Sequence, residues 1–130
     1  MKRRKITHDD GVAAIIRVVS AQNVDDIDEQ DIQLVCRYLL QELEISAEGA
    51  SVEVRIPPYG AIQCIQGSNH RRGTPPNVVE MPPMVWIKVA TGQIDFLDHI
   101  SSGDIYGSGE HFASVANFLP IVPLCSLKSL

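Results

Sequence analysis

Two hydrophobic periods meet at Gly49, and that junction limits what the chain can fold into. On its N-terminal side, Ile32, Val35, Cys36, Leu39, Leu40 and Leu43 recur at the spacing of a helix with one apolar stripe. Asp28 stands where an N-cap belongs, Glu29 and Asp31 favour the positive end of the helix dipole, and Gly49 ends the element. On the C-terminal side, Val52-Glu53-Val54-Arg55-Ile56 alternates apolar with charged residues, the period of a half-buried strand. A striped helix and a one-faced strand each need something to bury against. The pattern therefore predicts a helix packed on a sheet.

The rest of the chain fits that plan. Gly11 to Ala21 is rich in Ala, Val and Ile and predicts a short first helix, with Asp9 or Asp10 as its N-cap. Pro57-Pro58-Tyr59-Gly60 is turn chemistry, so Ala61 to Gln66 reads as a second strand in hairpin relation to the first. A polar loop from Gly67 to Asn77 leads to a brief third strand at Val78-Val79, facing either way. Pro82-Pro83 suits the start of a helix over Met84–Thr91, which Gly92 stops in a left-handed conformation. Asp95 caps a second short helix through Phe96, Leu97 and Ile100, ended by Gly103. Ile105-Tyr106-Gly107 fits an edge or closing strand. Ser108 or Gly109 opens a last helix with Phe112, Val115, Ala116 and Leu119, broken by Pro120. The apolar tail holds Pro123 and is expected to lie across a groove rather than form a helix. Helices grouped before and after a mainly antiparallel meander make the fold class α+β rather than α/β.

Composition sets the outer bounds. The 130 residues fit one domain, expected over 11–130 behind a frayed basic tail at 1–10. Hydrophobic residues make up 45%, enough for a core, while aromatics are only 5%, so that core is mostly aliphatic around Trp86 and three Phe. A net charge of −5 argues against nucleic-acid binding through the whole surface. The start, Met1-Lys2-Arg3-Arg4-Lys5, looks like a secretory leader, but Thr7-His8-Asp9-Asp10 follows where an apolar run is needed. No stretch approaches the roughly 18 apolar residues of a membrane span, so no stable membrane insertion is expected. Cys36, Cys64 and Cys125 are odd in number and widely spaced, which favours free thiols in a reducing cytoplasm.

No catalytic set can be assembled. His8, His70, His99 and His111 stand too far apart for a metal motif, and no cysteine lies at finger spacing from a histidine, so neither metal nor cofactor is expected. Cys36 and Cys64 fall on apolar faces, where a thiol acts as a small hydrophobe. Gly107-Ser108-Gly109 lacks the setting of a nucleophile elbow, and His111 near Ser108 has no third orienting group. The segment from Gly67 to Asn77 is richer, because it gathers His70, Arg71 and Arg72 in a loop stiffened by Pro75-Pro76. Two guanidiniums beside a histidine suit a carboxylate, a phosphate or a lipid headgroup; the same residues also suit a solvated connection. The short C-terminal helices, jointed at glycines, suit either an ordinary core or the lining of an apolar cavity.

Two stretches carry a resemblance. Trp86-Ile87-Lys88-Val89-Ala90-Thr91-Gly92-Gln93-Ile94-Asp95-Phe96, followed by Ile100 to Gly109, is similar to the C-terminal half of the sterol carrier protein family. Val54 to Cys64, with Arg72-Gly73-Thr74-Pro75-Pro76-Asn77-Val78-Val79-Glu80, resembles the compact bacterial branch of that family found in actinobacteria. The similarity spans about residues 29 to 120. It implies a sterol-carrier-like α+β fold with a five-stranded sheet, where the residues themselves give four strands, covered on one side by helices around an apolar tunnel. It also implies a non-enzymatic binder of a lipid, fatty acid or acyl-CoA. By position, Trp86, Val89, Phe96, Leu97, Ile100, Phe112, Val115 and Leu119 would line the tunnel, and His70, Arg71 and Arg72 would meet a polar head. A second reading makes the chain an accessory module acting with a protein partner, as similar domains do in the thiol-dependent isomerases of actinobacteria. An enzyme in its own right would need His70 or His111 as a base.

Overall fold

The computed structural model describes residues 4–67 and 75–127. Helix α1 (His8–Ser20) is followed by a 3-10 turn at Val24–Asp26 and by helix α2 (Glu29–Ser46). Strands β1 (Val52–Ile56), β2 (Gly60–Cys64) and β3 (Asn77–Glu80) come next. Then come helices α3 (Pro83–Ala90) and α4 (Phe96–Ser101) and strand β4 (Tyr106–Ser108). The chain closes with 3-10 segments at Phe112–Phe118 and Leu124–Leu127.

Helix α2 forms as its sequence dictates. The Asp28 carboxylate accepts from the Gln30 N–H at 2.8 Å, and Val35, Cys36, Tyr38, Leu39, Leu40 and Leu43 are buried. These residues serve three neighbours. Tyr38 meets α1, where a Cβ added at Gly11 would fall 2.4 Å from its ring; only glycine lets the two helices approach this closely. The Tyr38 hydroxyl also shares a 2.7 Å hydrogen bond with His8 Nδ1. Leu40 lies over Gly60 of β2. Cys36 meets α3, and its carbonyl accepts from Trp86 Nε1 at 3.2 Å.

The first helix starts earlier than its sequence predicts. Thr7, not Asp9 or Asp10, is the N-cap: its hydroxyl accepts from the Asp10 N–H at 3.1 Å, and the two aspartates sit in the first turn. Nor does the segment from Arg4 to Asp10 hang loose. Arg4 forks onto Glu42 at 3.0 and 3.1 Å, and Gln41 takes the N–H groups of Lys5 and Ile6 while donating to the Ile6 carbonyl. Helix α2 therefore orders residues expected as a basic tail.

The four-stranded sheet has the order β2-β1-β3-β4. Its outer pairings, β1 with β2 and β3 with β4, are antiparallel, but β1 and β3 run parallel. The sheet is therefore mainly antiparallel, as expected, but mixed, because β3 leaves the meander to pair with β1 in parallel. The reason lies in β2, whose Gly60, Ala61 and Gln63 are exposed and give it no second buried neighbour. β1 buries Val52, Val54 and Ile56 completely and takes the centre. Cys64 and Asn77 both align with Val52, so the chain leaves β2 and re-enters the sheet at the same end of β1.

Asn77 locks this arrangement. Buried at 3% exposure, it donates from Nδ2 to the Ser51 carbonyl at 2.9 Å and accepts at Oδ1 from the His111 N–H at 2.7 Å. Gly109, at φ +96°, brings the turn so near that a Cβ would sit 2.4 Å from Asn77 Oδ1. One amide side chain thus joins the residue preceding β1, β3 and the turn after β4. Replacing it leaves a carbonyl and an N–H unpaired, at about 1–3 kcal/mol for such a buried group. Asn77→Ala is expected to lower the urea unfolding free energy by about 2–3 kcal/mol; a loss below about 0.5 kcal/mol would contradict this role.

Candidate functional site

The site is built from the ends of α3 and α4. Pro83 starts α3 where a missing N–H costs nothing, and Trp86, Ile87, Val89 and Ala90 bury its inner face. Thr91 ends it by donating from Oγ1 to the Ile87 carbonyl at 2.6 Å, and Gly92 at φ +82° turns the chain away. Asp95 then caps α4 by accepting from the Asp98 N–H at 3.1 Å. The last carbonyls of α3 are taken from outside the helix. Ile121 and Val122 donate to the Ala90 carbonyl at 2.8 and 3.1 Å, and Leu124 donates to that of Thr91 at 3.1 Å. The apolar tail, expected across a groove, thus lies across the end of α3 and closes in a 3-10 turn.

Between these walls lies a cleft of about 550 Å³, lined by Val89, residues 92–97, Ala116, Asn117, Leu119 and Pro120. Its walls are the α3–α4 turn on one side and the chain leaving the Phe112–Phe118 segment on the other. Leu97, on the wall, is 52% exposed, whereas its neighbour Phe96 is buried to 3%. The polar groups in the cleft are Gln93, Asp95 and Asn117, and no cation stands among its lining residues. Gln93 is held by donating from Nε2 to Thr91 Oγ1 at 3.0 Å.

The eight residues predicted to line a tunnel divide into two groups. Val89, Phe96, Leu97 and Leu119 line this cleft. The other four lie elsewhere. Trp86 is completely buried between α3 and α2, with its indole N–H on the Cys36 carbonyl. Val115 is equally buried in the core, and Ile100 is half-buried against it. Phe112 covers Gly107 of β4 so closely that any Cβ there would meet its ring. His70, Arg71 and Arg72 lie outside the described residues. The sequence reading missed Gln93, Ile94 and Asn117 as cleft residues. Gly92 was the available signal, because a left-handed stop between two short helices makes a concave corner.

The remaining reactive groups are spread through the fold. Among the described residues, no group of three or more His, Cys, Asp or Glu could hold a metal ion. The His99 ring shares a 3.0 Å contact with the Asp95 carbonyl, and the exposed His111 ring lies 3.9 Å from Glu110. Cys36 and Cys64 are buried, and burial pushes each thiol up to about 12. Such thiols hold no thiolate near neutral pH, whereas Cys125 is exposed. An aromatic disulfide reagent at pH 8 is accordingly expected to modify one thiol rapidly in the native protein and three in denaturant. Two or more fast native equivalents would contradict this burial.

A mixed sheet with helices on one face and an open cleft walled by short helices defines an α+β domain of sterol-carrier type. The chain belongs to the family of bacterial SCP (sterol carrier protein) orthologs, whose family model matches residues 28–121. That match spans α2 through the cleft-forming turn at 116–120. No curated protein matches the chain. The family points in general terms to lipid binding or transfer by a non-catalytic carrier. No helix among the described residues is long and apolar enough to cross a membrane.

Proposed function

We propose that this protein binds, without catalysis, an apolar or amphipathic small ligand of the lipid, fatty-acid or acyl-CoA type in the cleft between α3, α4 and residues 116–120. The observation that supports it most directly is Leu97, a large apolar side chain half-exposed on a concave wall beside Val89, Phe96 and Leu119. A ligand tail removes that surface from water, at roughly 25 cal/mol per Å². The volume of about 550 Å³ suits a small-molecule site, which typically runs from about 300 to 1,000 Å³. Family membership agrees in general terms.

Asp95 in the cleft disfavours a carboxylate head placed beside it, and the cleft lining supplies no cation to offset that. We assign an anionic head to the guanidiniums of Arg71 and Arg72 with His70, residue types that suit a carboxylate or a phosphate. A fluorescent fatty acid is expected to bind the purified protein and to be displaced by unlabelled fatty acid. Native mass spectrometry should show a bound lipid after gentle purification. Leu97→Asp should weaken binding about tenfold or more, with little loss of stability because the residue is half-exposed. Arg71→Ala with Arg72→Ala should remove any preference for the acid over its methyl ester. A clean apo mass with no probe displacement would overturn the reading.

A further inference from the structure

The polar groups of the cleft support an inference about its ligand, one that rests on the cleft being the binding site. Asp95 is the only charged residue in the described lining, set among Val89, Phe96, Leu97 and Leu119. Its Oδ2 caps α4 by accepting from the Asp98 N–H. Among the described residues no donor meets Oδ1, and no cation pairs with this carboxylate. An apolar wall carrying one carboxylate suits an apolar chain that ends in a donor.

Gln93, two residues earlier in the same turn, adds a second acceptor, and the end of α3 fixes its orientation. Thr91 is buried to 1% exposure, and its single hydroxyl proton goes to the Ile87 carbonyl at 2.6 Å. Oγ1 is left to accept, so the Gln93 amide turns its Nε2 toward it, at 3.0 Å. The amide oxygen is thereby left for another donor, and none of the described residues supplies one. The cleft also sits at the C-terminal end of α3, the negative end of that helix dipole. α4 begins beside it, but carboxylates at its cap and in its first turn, Asp95 and Asp98, offset its positive end. Asn117 carries both a donor and an acceptor and favours neither.

We infer that the polar end of the cleft takes a protonated amine: the ligand is a long-chain alkylammonium with its tail on Leu97 and Leu119 and its N–H groups shared between the Asp95 carboxylate and the Gln93 carbonyl. An ammonium has three donors and no acceptor, which matches two acceptors and one negative charge. An alcohol of the same length keeps the apolar contacts but loses the ion pair. A carboxylate meets Asp95 as a like charge and keeps its head out of this end. Asp95 is exposed, so the gain from charge is modest and falls with salt.

Displacement of an uncharged fluorescent probe by octylamine and by octanol tests this at pH 7, where the amine is fully protonated. Octylamine should displace the probe at a concentration about fivefold or more below octanol, and the gap should narrow in high salt. Asp95→Asn keeps a good N-cap for α4 while removing the charge. It should bring octylamine to the level of octanol and leave octanol within about twofold of its wild-type value. Glu110→Gln removes the same charge from an exposed residue outside the cleft and should leave the preference intact. Three results would each overturn the inference: octylamine no tighter than octanol, a preference that Asp95→Asn retains, or one that Glu110→Gln removes equally. Octanol displacing the probe in any of these cases leaves the cleft standing as the site. Failure of both compounds to displace it overturns the cleft and the amine together.

Discussion

The structure depends on one helix buried on three sides. Helix α2 meets α1 through Tyr38 and Gly11, the sheet through Leu40 and Gly60, and α3 through Cys36 and Trp86. Each contact fixes a different part of the fold. The first needs a glycine at position 11, because any Cβ would enter the tyrosine ring. The third needs a hydrogen bond for the indole N–H, since a buried donor without one costs about 1–3 kcal/mol. The Cys36 carbonyl supplies it. Trp86 is thereby committed to the core.

That commitment shapes the site. With Trp86 and Val115 buried and Phe112 covering Gly107, the apolar surface left for a ligand lies further along, where Gly92 turns the chain between α3 and α4. The opposite wall is held by backbone bonds from Ile121, Val122 and Leu124 to the last carbonyls of α3. These carbonyls have no partner within their helix, and the tail satisfies them. Asn77 anchors the turn that leads into this wall by tying His111 to β1 and β3. The result is an open cleft with a leucine half in water.

Much of this was legible from residue order, and the misses have physical causes. Asp28, Gly49, Pro83, Gly92, Asp95 and Gly103 mark element ends through local chemistry, and a local rule finds them. The alternation at Val52 to Ile56 gives the strand and its buried face. The order of strands is not local. Whether β3 joins β1 or β2 depends on which strand has two buried neighbours, and β2 reveals its edge position only through its weak Gly-Ala-Ile-Gln-Cys pattern. The Thr7 cap was missed because Asp9 and Asp10 are equally good capping types, and spacing alone does not rank them. Trp86 and Phe112 were placed on the tunnel wall by position in the family resemblance, and sequence position does not reveal that the Trp86 indole N–H meets the Cys36 carbonyl or that Phe112 covers Gly107.

We propose that ligand occupies the α3–α4 cleft while the Trp86 side of α3 belongs to the core. Titrating an isotopically labelled protein with a long-chain fatty acid, and mapping the perturbed methyl and indole resonances, tests it most directly. Saturable shifts and ligand contacts are expected at the methyls of Val89, Leu97 and Leu119, with the Trp86 indole N–H unmoved. Contacts centred on the Trp86 indole, or none at all in the cleft, would contradict it.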